Sequence, residues 1–165
     1  MELLRQRAYV GLGANLGDPA GQIRAVLDAM RQAPEMGLVK TSSLYRSAPV
    51  DAPGQPDFIN AVALIETTLA PLSLLRALLD FESRFGRLRS FQNAPRTLDL
   101  DLLLYGEAVL DLAELRVPHP RMHLRRFVLA PLVEIAPLAT IPGQGSAAQL
   151  LSGLLGQDVQ RVAAS

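Results

Sequence analysis

Pro95-Arg96-Thr97-Leu98-Asp99-Leu100-Asp101-Leu102-Leu103-Leu104-Tyr105-Gly106 is a leucine-rich run interrupted by two aspartates at i, i+2. Read as a strand from Thr97 to Tyr105, it projects Asp99 and Asp101 together, with Leu98, Leu100 and Leu102 on the opposite face. The two Cα atoms then stand about 7 Å apart. Two readings follow. Either the strand has a solvated face with two ordinary aspartates, or the paired carboxylates share a cation. Mg²⁺ suits the second, because it takes one or two carboxylates and fills its remaining positions with water and phosphate oxygens. Arg96 adds a planar fork that matches phosphate.

Upstream, Ala8 to Gly13 reads as a first strand. A helix from Pro19 to Gln32 follows, with Asp18 as N-cap and an apolar stripe of Ile23, Val26, Leu27 and Met30. Leu38 to Arg46 is β-prone, and Ser47 to Pro56 is a proline-rich loop. Phe58 to Thr67 alternates, with Ile59, Ala61, Ala63 and Ile65 on one face and Phe58, Val62 and Leu64 on the other. Pro71 to Phe85 forms a second helix, its apolar face at Leu72, Leu75, Leu78, Leu79 and Glu82, ending at Gly86. Glu107 to Leu110 is read as a return hairpin after Gly106. Helices over Phe127–Ile135 and Ala147–Leu155 complete the chain, and the segment after Pro137 is assigned only a packing role. The order β-α-β-β-α-β predicts an α+β, ferredoxin-like sandwich, with helices on one face of an antiparallel sheet.

The 165 residues suit one domain over 1–165 with a substantial core. Sixteen basic and sixteen acidic residues give no net field, which disfavours general nucleic-acid or membrane-surface binding. The absence of cysteine excludes disulfides, thiolate metal sites and a cysteine nucleophile. The N-terminal residues lack a signal-peptide pattern, so a cytoplasmic protein is expected. Eight arginines between Arg84 and Arg126 surround the acidic pair in an otherwise neutral chain, which points to a small anion.

Gly11-Leu12-Gly13-Ala14-Asn15-Leu16-Gly17 fails the dinucleotide fingerprint at Leu16, and these glycines read as turn or close-approach positions. His119, between Pro118 and Pro120, is either a phosphate donor or a loop histidine; no partner histidine has zinc spacing. Arg87 and Arg89 either face phosphate or form a solvated loop. Asn60 inside an apolar strand needs its hydrogen bonds satisfied. With Phe58 and Phe127 it can line a flat pocket for a heteroaromatic ring, the alternative being core packing.

These segments, with Ser43-Leu44-Tyr45-Arg46-Ser47-Ala48-Pro49, Gln55-Pro56-Asp57-Phe58-Ile59-Asn60-Ala61 and Val117-Pro118-His119-Pro120, resemble the 6-hydroxymethyl-7,8-dihydropterin pyrophosphokinase family of folate biosynthesis from Tyr9 to about Pro137. The resemblance implies a monomeric, ferredoxin-like, ATP-dependent diphosphotransferase that passes pyrophosphate from ATP to the pterin hydroxymethyl group and releases AMP. It implies that Asp99 and Asp101 hold two Mg²⁺ ions and act in catalysis with Arg87 and Arg96. Ser47, Ala48, Val50, Phe58, Asn60 and Phe127 are then pterin residues, and Glu82, Arg87, Arg89, Arg96, Leu102, His119 and Arg125 are ATP residues. Arginines of the 86–95 loop would close over ATP. Asn93-Ala94 stands where many relatives carry Trp-Gly, that loop is about one residue short of the commonest pattern, and Pro120 replaces a tyrosine found in some relatives. A ligand-sensing domain and an RNA-binding module of the same topology are the rival classes; the second needs exposed aromatics on its central strands, where this chain has aspartates.

Overall fold

The computed structural model describes residues 4–49, 54–86 and 98–162. Val50 and the arginines Arg87, Arg89 and Arg96, with the 87–97 segment, lie outside the described residues. Strand β1 (Gln6–Ala14) leads into α1 (Pro19–Gln32), whose start is fixed by Asp18 Oδ1 accepting the Gly21 N–H at 3.1 Å. Then come β2 (Leu38–Thr41), β3 (Tyr45–Ser47), β4 (Phe58–Thr67), α2 (Pro71–Gly86) and β5 (Asp99–Tyr105). A small hairpin of β6 (Leu110–Asp111) and β7 (Arg116–Val117) follows, then a 3₁₀ turn at Met122–Leu124 and α3 (Arg126–Ile135). The chain continues through β8 (Thr140–Ile141), β9 (Gly145–Ser146), α4 (Ala147–Ser152) and β10 (Val159–Arg161).

The main sheet is antiparallel in the order β10-β3-β4-β1-β5, with β2 also paired to β4. The alternation in β4 sorts its two faces as the sequence predicts. Ile59, Ala61, Ala63 and Ile65 pack with α1 residues Ile23, Val26 and Met30 and α2 residues Leu74, Leu78 and Phe81. Val62 and Leu64 instead join Leu103, Leu104 and the α3 residues Val128, Leu129, Leu132 and Ile135. This is the ferredoxin-like α+β sandwich, with one departure: α3 and α4 cover part of the second face, so helices are not confined to one.

Other local expectations change. The predicted second strand is two strands, because Ser42 and Ser43 divert the chain between them. Ser42 Oγ accepts the Val62 N–H at 2.9 Å, and Ser43 N–H turns to the Glu134 carboxylate at 3.0 Å. Leu79 is 47% exposed, and the buried face of α2 runs through Leu74, Leu78, Phe81 and Glu82. Residues after Gly106 do not return onto β5; Leu110 and Asp111 pair with Val117 and Arg116. The segment after Pro137 does more than pack, since β10 extends the sheet beside β3. Among the described residues no helix is long and apolar enough to cross a membrane.

Candidate active site

The site grows from the register of three strands. Gly13 of β1 lies between Asn60 of β4 and Asp99 of β5, and Gly11 lies between Val62 and Asp101. Residues aligned across neighbouring strands share a face, so one side of the sheet carries Asn60 and Val62, two bare glycines, and the two exposed aspartates. The glycines sit within a regular strand and serve close approach, not turning. A Cβ at Gly13 would lie 3.3 Å from Asn60 Oδ1, and one at Gly11 would lie 3.4 Å from the Leu103 side chain. Their missing side chains form the floor of a cavity of about 470 Å³, a volume suited to a small molecule.

Walls rise on two sides. Phe58, Ser47, Ala48 and Pro49 come from the β3–β4 side, and Arg121, Arg125, Phe127 and Val128 from the segment entering α3. Asn60 is 5% exposed, and its Nδ2 donates to Ser47 Oγ at 2.7 Å. That bond satisfies a buried amide that is otherwise costly in an apolar strand. Arg125 places its guanidinium 5.5 Å from the Phe127 ring centroid, within cation–π range. Asn15 Nδ2 donates to Gln55 Oε1 at 3.3 Å, which ties the end of β1 to the approach to β4.

His119 stands beside this cavity, not in its lining. Its backbone N–H donates to the Leu103 carbonyl at 2.9 Å, and its Nδ1 accepts the Arg121 N–H at 3.2 Å. With Nδ1 accepting, the neutral ring carries its proton on Nε2. Burial pushes the imidazole below its ordinary value; Arg125 and Arg121 act the same way, and Asp101 opposes them. Glu82 and Leu102 occupy the other face of β5. Glu82 Oε2 accepts the Leu100 N–H at 2.7 Å, and Leu102, 3% exposed, joins the core under α1 and α2. Alternation puts the neighbouring Leu103 on the cavity side with Asp99 and Asp101, and a bulge, with Tyr9 opposite Leu104 and Val10 opposite Leu102, brings Leu104 into the same cluster.

The donor set at Asp99 and Asp101 is two carboxylates on one face. Among the described residues no group of three or more His, Cys, Asp or Glu could hold a metal by itself. Two carboxylates fit a hard cation that shares its coordination with water and a phosphate-bearing substrate. Lining residues that sequence reasoning did not assign to the site include Leu103, Arg121, Leu124 and Gln157. Arg121 belonged to the visible arginine cluster. Gln157 reaches the site from more than 30 residues away and carries no local signal.

Comparisons with known proteins identify the family of the chain. A sequence model of the family described as 7,8-dihydro-6-hydroxymethylpterin-pyrophosphokinase (HPPK) matches residues 9–137. The chain is 47% identical over 157 residues to the 2-amino-4-hydroxy-6-hydroxymethyldihydropteridine pyrophosphokinase of Pseudomonas aeruginosa, covering 95% of this chain and 97% of that one. It is also 47% identical to the protein of the same name from Haemophilus influenzae over 135 residues, 82% of this chain and 84% of that one. Among solved structures, Plasmodium falciparum HPPK-DHPS with pteroate shares the fold at a TM-score of 0.71 and 15% identity, over 92% of this chain and 43% of that one. The chain therefore belongs to the 7,8-dihydro-6-hydroxymethylpterin-pyrophosphokinase family, transferases of folate biosynthesis.

Proposed function

We propose that the cavity and its acidic pair divide the work of the family's reaction between them: the cavity holds the pterin, and Asp99 and Asp101 hold the phosphates of ATP through bound Mg²⁺. In that reaction pyrophosphate passes from ATP to the hydroxymethyl group of 6-hydroxymethyl-7,8-dihydropterin. The hydroxyl oxygen bonds to the β-phosphorus, the bond from that phosphorus to the α,β-bridging oxygen breaks, AMP leaves, and the hydroxyl proton is released. The observation that carries this reading is the shared register of Asn60, Gly13 and Asp99, by which the buried amide and the acidic pair line one cavity on one face of the sheet.

Phe58 and Phe127 flank the ring, and Asn60, held by Ser47, meets its polar edge, with backbone near Ala48 and Val50 completing that edge. Two Mg²⁺ ions, when bound, offset charge on the entering and leaving oxygens. The chain's own contribution is orientation, water exclusion and placement of positive charge, which together can supply most of a phosphoryl-transfer rate. No side chain is assigned as a dedicated base. Arg125 and His119 lie on the ATP side of this reading, and Arg87, Arg89 and Arg96 complete it. Among the described residues β5 ends the main sheet, so ATP can lie along that edge, with phosphates at Asp99 and Asp101 and its base toward the strand backbone at Leu102, whose side chain, like that of Glu82, is buried. The reading includes a chain working as a monomer in the cytoplasm.

The test is AMP formation from ATP in the full mixture. AMP should appear only when pterin and Mg²⁺ are both present, in step with pyrophosphorylated pterin. No AMP in the complete mixture would refute the reading and leave ligand sensing or RNA binding in its place.

A further inference from the structure

Gln157 joins two distant parts of the cavity wall. Its Oε1 accepts the Arg126 N–H at 2.8 Å, and its Nε2 donates to the Leu124 carbonyl at 3.0 Å. The carboxamide thus holds the backbone on both sides of Arg125. Arg125 is the N-cap position of α3, and its side chain makes no capping hydrogen bond. The N–H of Arg126, one of the orphan donors at a helix start, is satisfied from 31 residues away. A second tie joins the same segments, Arg126 Nη1 donating to the Leu154 carbonyl at 3.1 Å.

The other end of this clamp is also anchored. Two residues after Gln157 the chain enters β10, where Val159 pairs with Ser47. Ser47 is the residue that accepts the Asn60 amide proton. One short segment therefore connects the Ser47 wall to the wall bearing Arg125 and Phe127, and Gln157 itself lines the cavity between them.

We infer that Gln157 is a positioning residue for pterin recognition, setting the separation between the Phe127 ring and the Ser47–Asn60 edge. The inference rests on the reading of the cavity as the pterin site. Gln157→Met keeps the side chain's length and removes both hydrogen bonds, so it separates this role from packing.

The experiment titrates 6-hydroxymethyl-7,8-dihydropterin into the full chain with Mg²⁺ and α,β-methylene-ATP, an analogue that cannot be split at the reacting bridge. Wild type, Gln157→Met, Phe127→Ala and the double variant are compared, with thermal midpoints measured for each. Gln157→Met should weaken pterin binding about tenfold, and by less than about twofold when Phe127 is already alanine, the non-additivity expected of coupled positions. In turnover it should raise the pterin KM while leaving kcat and the ATP KM within about threefold. Unchanged affinity, or equal weakening in both backgrounds, would overturn the inference. Failure of wild type to bind pterin would overturn the cavity reading itself. If Gln157→Met does not fold, Gln157→Ser carries the same comparison.

Discussion

Asn60 Nδ2 donates a 2.7 Å hydrogen bond to Ser47 Oγ, and both residues, more than 90% buried, line the cavity. The bond fixes the amide plane, so Asn60 Oδ1 is presented toward bare Gly13. Removing the amide should therefore cost recognition more than turnover. Asn60→Ala is expected to raise the pterin KM about tenfold, the equivalent of about 1.4 kcal/mol. Gly13→Ala, whose Cβ would crowd Oδ1, should move the same parameter in the same direction by a few-fold. Steady-state kinetics with pterin as the varied substrate check both.

Glu82 is a different kind of residue. Its carboxylate, 6% exposed, takes the Leu100 N–H between the two aspartates of β5. Among the described residues β5 ends the main sheet, and α2 supplies the partner for this N–H where no described strand does. Glu82→Ala should destabilise the fold by about 2 kcal/mol, the cost of leaving a buried donor unmet. Glu82→Gln keeps an acceptor and should lose less. Urea unfolding midpoints of the two variants against wild type decide this.

Glu134 of α3 gathers Ser43 N–H, Ser43 Oγ, Tyr45 OH and Arg161 around one carboxylate. Burial alone would raise its pKa, but the hydrogen bonds from Tyr45 and Ser43 and the charge of Arg161 outweigh it and hold the carboxyl below its ordinary value. The stability it adds is complete above the ordinary carboxylate range and is lost as pH falls through the lowered value. Tyr45 goes the other way: burial, reinforced by Glu134, raises it to about 12. Its contribution is complete below pH 10 and is lost as pH rises from 10 toward about 12. Glu134→Gln should lose about 2 kcal/mol at neutral pH, with the gap from wild type closing in acid. Tyr45→Phe should flatten the alkaline limb. Thermal midpoints across pH test both slopes.

Much of this was legible in the chain. The alternation of Ile59, Ala61, Ala63 and Ile65 against Val62 and Leu64 set both faces of β4, and the Asp18 cap with its Ile23, Val26 and Met30 stripe set α1, because those signals are local. What escaped the sequence depends on distant partners. The break at Ser42–Ser43 exists because Val62 and Glu134 take those groups. Leu104, which strict alternation would send to the opposite face from Leu103, joins the same cluster because of a bulge opposite Tyr9 and Val10, and no count of two-residue periods anticipates it. Gln157 sits in a polar stretch whose partners, Leu124 and Arg126, are defined only once α3 folds back on the sheet.

The central claim is that Asp99 and Asp101 hold the metal-bound phosphates of ATP, and AMP formation by Asp101→Ala at saturating ATP, pterin and Mg²⁺ tests it most directly. Asp101 is exposed on the cavity face, so its removal should leave the thermal midpoint near that of wild type. The rate should fall about 100-fold or more, the scale of losing one electrostatic stabiliser of a transition state. Wild-type turnover in that variant, with the fold intact, would contradict the account.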